Sequence, residues 1–198
     1  MVQTKIILAS ASPRRKELLG SLLRNFGLSF EVIPSEIEEI LPEVSKYPAK
    51  LVRELSKHKA DYIASMHDGV VIGADTIVVI NNKLLGKPSS KSDARKMLNI
   101  LSGNYHYVYT GITISDKKNN KYYTAYERTK VLFRKLTGRE IEFYINSGSP
   151  FDKAGAYGIQ DDFGSTFVSS ISGDFFNVVG LPIVKTYLGL KKILNLGL

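Results

Sequence analysis

The chain contains no cysteine, which excludes disulfide bonds, thiol catalysis and metal sites built on cysteine. No apolar run reaches the roughly 18 residues of a membrane-spanning helix, and the run at residues 6–9 is too short for the core of a signal peptide. The histidines are scattered, at His58, His67 and His106, and their spacing does not match a zinc signature. These absences are typical of a cytoplasmic protein that works away from membranes.

Several common catalytic and nucleotide-binding motifs are also missing. Gly86 and Lys87 are followed by Pro88 rather than by serine or threonine, so they do not form a P-loop. Gly155 and Gly158 do not complete the dinucleotide-binding fingerprint, and no Gly-x-Ser-x-Gly nucleophile elbow occurs. These three machineries are therefore excluded as the source of any activity.

The composition indicates an ordinary globular protein, predicted as one domain over residues 1–198. Hydrophobic residues make up 43% of the 198 positions and charged residues 23%, which is enough for a proper core. The net charge is +8, and a basic balance favours polyanionic partners. Because the lysines and arginines are spread along the chain, a local phosphate pocket is favoured over a nucleic-acid surface.

Strand and helix patterns alternate along the chain, which predicts an α/β fold with a long mixed β-sheet flanked by helices. The strand at 70–80 is expected to be interrupted at residues 73–76, and an Asn-Asn pair at 81–82 predicts a hairpin turn. The predicted strands are 5–9, 29–33, 70–80, 105–115, 121–136 and 166–171. The predicted helices are 13–25, 48–66, 92–101, one from a capping box at 137–140 to residue 148, and one from about 182.

The first strand-to-helix junction has the features of an anion site. Ser12 is a good N-cap, and Pro13 suits the first helical turn, so Arg14, Arg15 and Lys16 fall in that turn. Cations are unfavourable there because the N-terminal end of the helix dipole is already positive. Free N–H groups, hydroxyls and cations together indicate a pocket for phosphate. The alternative is a solvated basic helix start.

Two charged residues break their local apolar patterns. Lys59 lies on the apolar stripe of the helix at 48–66, where a lysine normally reaches solvent from the edge of the face. A nearby carboxylate or phosphate would instead give it a partner. Asp75 stands between two apolar runs, where a metal, a catalytic water or Lys59 would explain it. The alternative for Asp75 is a turn that breaks the strand.

Other polar residues are weaker signals when each is taken alone. Lys87 and the acidic pair Glu38 and Glu39 are typical of solvated loops. Residues 152–160 (DKAGAYGIQ) combine small residues and glycines with polar side chains. Glycines permit tight turns and close approach of a ligand, but turns alone do not explain the polar groups.

Five motifs in order resemble the Maf family of nucleoside triphosphate pyrophosphatases. They are residues 8–15 (LASASPRR), 73–76 (GADT), 86–88 (GKP), the set 102–103, 106 and 110–111 (SG, H, TG), and 152–160. The resemblance covers nearly the whole chain. It implies an elongated α/β fold related to the inosine-triphosphatase fold, a cytoplasmic homodimer and a requirement for Mg²⁺ or Mn²⁺. It also implies cleavage between the α and β phosphates, giving the monophosphate and pyrophosphate.

The resemblance also implies roles for individual residues. Asp75 matches the proton acceptor, and Glu39 and Asp75 are candidates for the metal. The phosphate-binding positions match Ser10, Arg14, Arg15, Lys59 and Lys87. The positions that mark the subgroup acting on dTTP and UTP match Arg14, Thr76 and Gln160. The Gln160 amide can accept from N3–H and donate to O4 of a uracil-like base.

Two other classes of function stay open at this point. A nucleic-acid-binding module could use the alternating Tyr105, Tyr107 and Tyr109 as a stacking face, although a sheet packed on a helix explains the same alternation. A regulator that binds nucleotides without turnover is the other alternative. Modified pyrimidine nucleotides are possible substrates beside dTTP and UTP.

Overall fold

The computed structural model describes residues 4–37, 42, 44–161 and 163–196. Its strands are β1 (Ile6–Leu8), β2 (Glu31–Val32), β3 (Val70–Ile80), β4 (Lys83–Leu85), β5 (Tyr105–Asp116), β6 (Lys121–Phe133) and β7 (Val168–Ser172). Its α-helices are α1 (Pro13–Arg24), α2 (Pro48–Met66), α3 (Lys91–Leu101), α4 (Gly138–Asn146), α5 (Phe175–Val179) and α6 (Ile183–Leu194). Short 3₁₀ turns occur at Ser149–Asp152, Ala154–Ala156 and Gly164–Phe167.

The strands form one mixed sheet in the order β2-β1-β3-β5-β6-β7, with β4 paired to β3. β1 is parallel to both of its neighbours, and the other pairs are antiparallel. Helices cover both faces. α1 and α6 pack on one face at the β1 end, α3 and α4 pack at the far end of that face, and α2 lies on the opposite face. The predicted α/β fold with a mixed, helix-flanked sheet is confirmed.

β3 is continuous, so the predicted interruption at residues 73–76 is wrong. Asp75 lies opposite Gly111 of β5, within an unbroken ladder from Val70 to Val79. Local propensity argues against an aspartate here, but the carboxylate has a cation beside it in the folded protein. The hairpin at Asn81 and Asn82 is confirmed, since φ is 49° and 63° at these two residues.

Two glycines bring α2 unusually close to the sheet. A Cβ at Gly73 would lie 2.2 Å from the Ser56 carbonyl oxygen, and one at Gly111 would lie 2.0 Å from the Val52 carbonyl oxygen. Because side chains alternate along a strand, Asp75 points to the same face as Gly73, towards α2. The close packing of this helix therefore determines what Asp75 meets.

Candidate active site

A cleft of about 730 Å³ opens beside the middle of β3. β1 pairs with residues 70–72 of β3, and β4 pairs with residues 78–80. In the described part of the chain, residues 73–77 have a strand neighbour only on the β5 side. The helices that follow the parallel strands β1 and β2 lie on opposite faces of the sheet. Open α/β sheets bind ligands at such a switch point, beyond the carboxyl ends of the strands.

The cleft brings together nearly all of the residues predicted from the sequence. Those that line it are Ser10, Arg14, Arg15, Lys59, Asp75, Thr76, Lys87 and Gln160. Lys16, the third cation of the helix start, is exposed and does not line the cleft. Glu39 lies outside the described residues, so its metal role stays a prediction.

The start of α1 has the local geometry that the sequence predicts. Pro13 is the first helical residue, and the Ser12 hydroxyl accepts a hydrogen bond from the Arg15 backbone N–H at 3.4 Å. Ser10 Oγ in turn accepts from the Ser12 backbone N–H at 3.3 Å. This cap places both arginine side chains at the cleft, directly after β1.

Arg15 ties together three separate parts of the chain. Its Nε donates to the Gly180 carbonyl at 2.9 Å, and its Nη1 donates to Ser10 Oγ at 3.0 Å and to the Ala74 carbonyl at 2.9 Å. Its Nη2 donates to Thr76 Oγ1 at 2.9 Å. The Ala74 carbonyl belongs to the part of β3 that faces the gap beside the cleft. Arg15 therefore holds the wall of the cleft and brings a positive charge to it.

Arg14 spans the cleft in another direction. Its Nη1 donates to Asp152 Oδ2 at 2.8 Å, and its Nη2 donates to the Asp152 carbonyl at 3.3 Å. Lys153 donates to the other Asp152 oxygen at 2.7 Å. Burial raises the pKa of Asp152, but the hydrogen bonds from Lys153 and Arg14 outweigh it and leave the pKa below its ordinary value. Asp152 is therefore an anion that holds Arg14 in place.

Lys59 and Asp75 form a buried ion pair, with Nζ 2.5 Å from Oδ1. Their exposed fractions are only 8% and 3%. The expectation that Lys59 reaches solvent from the edge of its helix is therefore wrong, and so is the reading of Asp75 as a turn residue. Burying two charges costs free energy that only close pairing offsets. Such an arrangement keeps a carboxylate at the wall of a cleft in a defined position.

Lys87 and Gln160 occupy the open side of the cleft, and both are exposed. Lys87 lies in the loop after β4, beside Gly86, whose carbonyl accepts from the Gly155 N–H at 2.9 Å. This bond joins the two loops that carry Lys87 and Gln160. Within the described residues the Gln160 side chain makes no hydrogen bond, so its amide is able to meet a ligand.

Comparison with known proteins decides the family. A family model described as Maf-like protein matches residues 5–193. This chain belongs to the Maf family.

Relatives agree with this membership over most of the chain. A dTTP/UTP pyrophosphatase of Thermoanaerobacter sp. (strain X514) is 51% identical over 190 residues, which covers 95% of this chain and 96% of the relative. A dTTP/UTP pyrophosphatase of Bacillus anthracis is 50% identical over 189 residues and 95% of both chains. A solved dITP/XTP pyrophosphatase from Mycobacterium abscessus aligns over 97% of both chains with 11% identity and a TM-score of 0.49, a likeness that supports no further conclusion.

This Maf protein also has cleft residues to which the sequence pattern assigned no role. Lys153, Asp152 and Tyr157 line the cleft, and Lys153 is only 8% exposed. Tyr157 OH is 2.8 Å from Nε2 of the fully buried His106. Burial lowers the pKa of His106 to about 4, so this histidine is neutral at physiological pH. The sequence signals for this cluster were the crowded polar groups of residues 152–160 and the motif that contains His106.

The donor set of the cleft fits a magnesium-type metal bound together with substrate. Among the residues that the structure describes, no group of three or more histidine, aspartate or glutamate side chains is placed to hold a metal ion. Mg²⁺ characteristically uses one or two carboxylates and takes its other ligands from phosphates and water. Asp75 in this Maf protein supplies one such carboxylate at the cleft wall.

The tyrosines considered for nucleic-acid binding lie on one face of β5, where cations of β6 cover two of them. Lys130 Nζ is 3.9 Å from the centre of the Tyr105 ring, and Arg128 is 5.2 Å from that of Tyr107. These are cross-strand pairs within the sheet.

In the described part of this Maf chain, no helix is long and apolar enough to cross a membrane.

Proposed function

We propose that this protein hydrolyses dTTP and UTP between the α and β phosphates, releasing the monophosphate and pyrophosphate. The observation that carries the proposal is the gathering of Asp75 and the predicted phosphate-binding cations in one cleft at the start of α1. These cations are Arg14, Arg15, Lys59 and Lys87. The relatives named dTTP/UTP pyrophosphatase, about 50% identical over 95% of the chain, support the same substrates.

The cations act mainly by electrostatics. Pyrophosphate is the leaving group, so the reaction needs charge neutralisation and alignment more than covalent catalysis. Lys87 is exposed on the open side of the cleft, where it can meet the terminal phosphates. Arg15 is held by four hydrogen bonds to protein groups and supplies a fixed positive charge behind the Ser10 loop.

Asp75 is the proposed proton acceptor for the attacking water. Its side chain is 5% exposed and points from β3 into the cleft, with Lys59 bonded to Oδ1. A carboxylate in a fixed position near the reacting phosphorus can take the proton of water as the bond to phosphorus forms. Lys59 keeps the carboxylate oriented during this step.

Gln160 is the proposed reader of the base. Its amide carbonyl accepts from N3–H and its amide N–H donates to O4, a pattern that uracil and thymine share. Arg14 also lines the cleft and is held by Asp152. dTTP differs from UTP in lacking the 2′-hydroxyl and in carrying a 5-methyl group on the base. Neither difference changes N3–H or O4, so one site can accept both substrates.

Asp75 and Glu39 are the proposed carboxylate ligands of Mg²⁺ or Mn²⁺. The metal, when bound, neutralises phosphate charge and polarises the scissile phosphorus–oxygen bond.

We also propose that the protein is a homodimer in the cytoplasm, as its family motifs lead us to expect. Light scattering during size-exclusion chromatography tests the dimer.

The deciding experiment is a nucleotide panel with Mg²⁺ or Mn²⁺, with products separated by ion exchange. We expect UTP and dTTP to give monophosphate and pyrophosphate. Release of orthophosphate with a diphosphate product would show that the other bond is cut. Arg14→Gln should reduce turnover strongly, whereas Lys16→Gln, a matched change in the same helical turn but outside the cleft, should not. Equal effects of the two changes would contradict a specific phosphate site.

A further inference from the structure

A row of hydrogen-bonded polar groups connects the cleft to the buried side of the sheet. Arg15 Nη2 donates to Thr76 Oγ1 at 2.9 Å. Thr76 Oγ1 is 3.0 Å from Thr110 Oγ1, and Thr110 Oγ1 donates to the backbone carbonyl of Asn177 at 3.0 Å. Thr110 and Asn177 are fully buried and do not themselves line the cleft, so the proposed reaction gives them no direct role.

The direction of every proton in this row follows from chemistry. A carbonyl oxygen can only accept, so Thr110 uses its single hydroxyl proton in the hydrogen bond to the Asn177 backbone carbonyl. The bond between the two threonines must then use the proton of Thr76. The Thr76 oxygen is left with lone pairs, which is what the N–H of Arg15 requires. Thr76 thus turns its proton away from the cleft and has none to donate to a bound base.

Asn177 fixes the far end of the row. Its Nδ2 donates to the Val108 carbonyl at 3.0 Å and to Thr129 Oγ1 at 2.9 Å, which anchors α5 to β5 and β6. The turn that ends α5 carries the Gly180 carbonyl, the acceptor for Arg15 Nε. The same short helix therefore orients Thr110 and also holds Arg15 directly.

We propose that Thr110 is a positioning residue for the nucleotide cleft: its hydroxyl fixes the proton of Thr76 and thereby the guanidinium of Arg15. This inference rests on the proposed function, in which Arg15 supplies charge at the phosphate site. The family resemblance marks Thr76 as a position that distinguishes the dTTP/UTP subgroup. In this proposal Thr76 acts through its hydrogen bond to Arg15 rather than through contact with the base.

The test separates the hydroxyl of Thr110 from its shape. Thr110→Val keeps the shape but gives the Thr76 proton no acceptor, so Thr76 can turn its proton towards Arg15 and displace the guanidinium. We expect kcat/KM for UTP to fall about tenfold, the scale of a lost buried hydrogen-bond partner. Thr110→Ser keeps the hydroxyl and should stay within about twofold of the unchanged protein on the same grounds.

A matched control is available on the same strand. Thr113 is also fully buried, and its hydroxyl is hydrogen-bonded to two other hydroxyls, Ser56 Oγ at 3.0 Å and Thr124 Oγ1 at 3.1 Å. Neither of these two partners lines the cleft, whereas Thr76, the partner of Thr110, does. Thr113→Val should lower thermal stability without changing kcat/KM of the folded enzyme. If Thr110→Val does not fold, Thr110→Ala is compared with Thr110→Ser, since both lose the methyl group and only serine keeps the hydroxyl.

The outcomes discriminate clearly. Rescue by serine supports the proposal, whereas a serine variant as impaired as valine or alanine, or a fully active valine variant, overturns it. A wild-type protein that does not turn over UTP refutes the proposed function instead.

Calorimetric binding of inorganic tripolyphosphate then tests the positioning role independently, because it reports the charge at the phosphate site without turnover. Equal affinity of the wild type and the Thr110→Val variant would overturn the inference.

Discussion

The buried pair of Lys59 and Asp75 allows catalysis and stability to be separated by experiment. Asp75→Asn is nearly isosteric and takes away one charge, while Lys59, 8% exposed, keeps its own. Neutralising one partner of a buried pair typically costs about 3–5 kcal/mol, because the other charge loses the ionic interaction that offsets its desolvation. Loss of a general base typically lowers turnover at least about 10²-fold. We therefore expect a folded but less stable protein with little activity.

Adding Lys59→Met to Asp75→Asn distinguishes the two effects. The double variant no longer buries a lysine charge, so most of the lost stability should return, whereas the proton acceptor is still missing and turnover should not. Urea unfolding followed by circular dichroism gives the free energy of unfolding, and initial rates of pyrophosphate release give turnover. Near-normal turnover of Asp75→Asn would remove Asp75 from the mechanism. A double variant no more stable than the single one would refute the argument from the buried charge.

Two further predictions concern the base and pH. Wild type should prefer UTP over CTP by about 10²-fold or more in kcat/KM, since CTP reverses the donor and acceptor at N3 and at position 4 and leaves the Gln160 amide and the bound base without their hydrogen bonds. Gln160→Ala should shrink this ratio more than it slows UTP turnover, and equal hydrolysis of CTP and UTP by wild type would exclude Gln160 as the residue that recognises the base. Burial lowers the pKa of His106 from 6.5 to about 4, so between these values the unfolded chain binds a proton that the folded protein does not, and stability falls as pH falls through this window. The loss from pH 7 to pH 4 should be up to about 3 kcal/mol larger in wild type than in His106→Gln, measured by urea unfolding, and identical pH profiles would contradict it.

Local sequence was sufficient wherever a feature depends on neighbours along the chain. The cap at Ser12 and Pro13, the turn at Asn81 and Asn82, and the capping box at Thr137 and Glu140 all form as predicted. In each case the side chains of a few consecutive residues determine which backbone conformation is favoured. The sequence also indicated several residues that would meet, because Asp75, Lys59 and the arginines at the start of α1 conflict with their local patterns.

Tertiary structure alone decided how those residues are paired. Asp75 was predicted to interrupt its strand, because a strand propensity contains no information about Lys59, which α2 brings against β3 through the close contacts at Gly73 and Gly111. The partners of Arg15 at Thr76 and Gly180 lie 61 and 165 residues away in the chain, and Asp152 lies 138 residues from Arg14. Desolvation and pairing are properties of the packed interior, so the charge state of His106 and the division of roles between Arg14 and Arg15 arise only once the sheet and its helices are assembled.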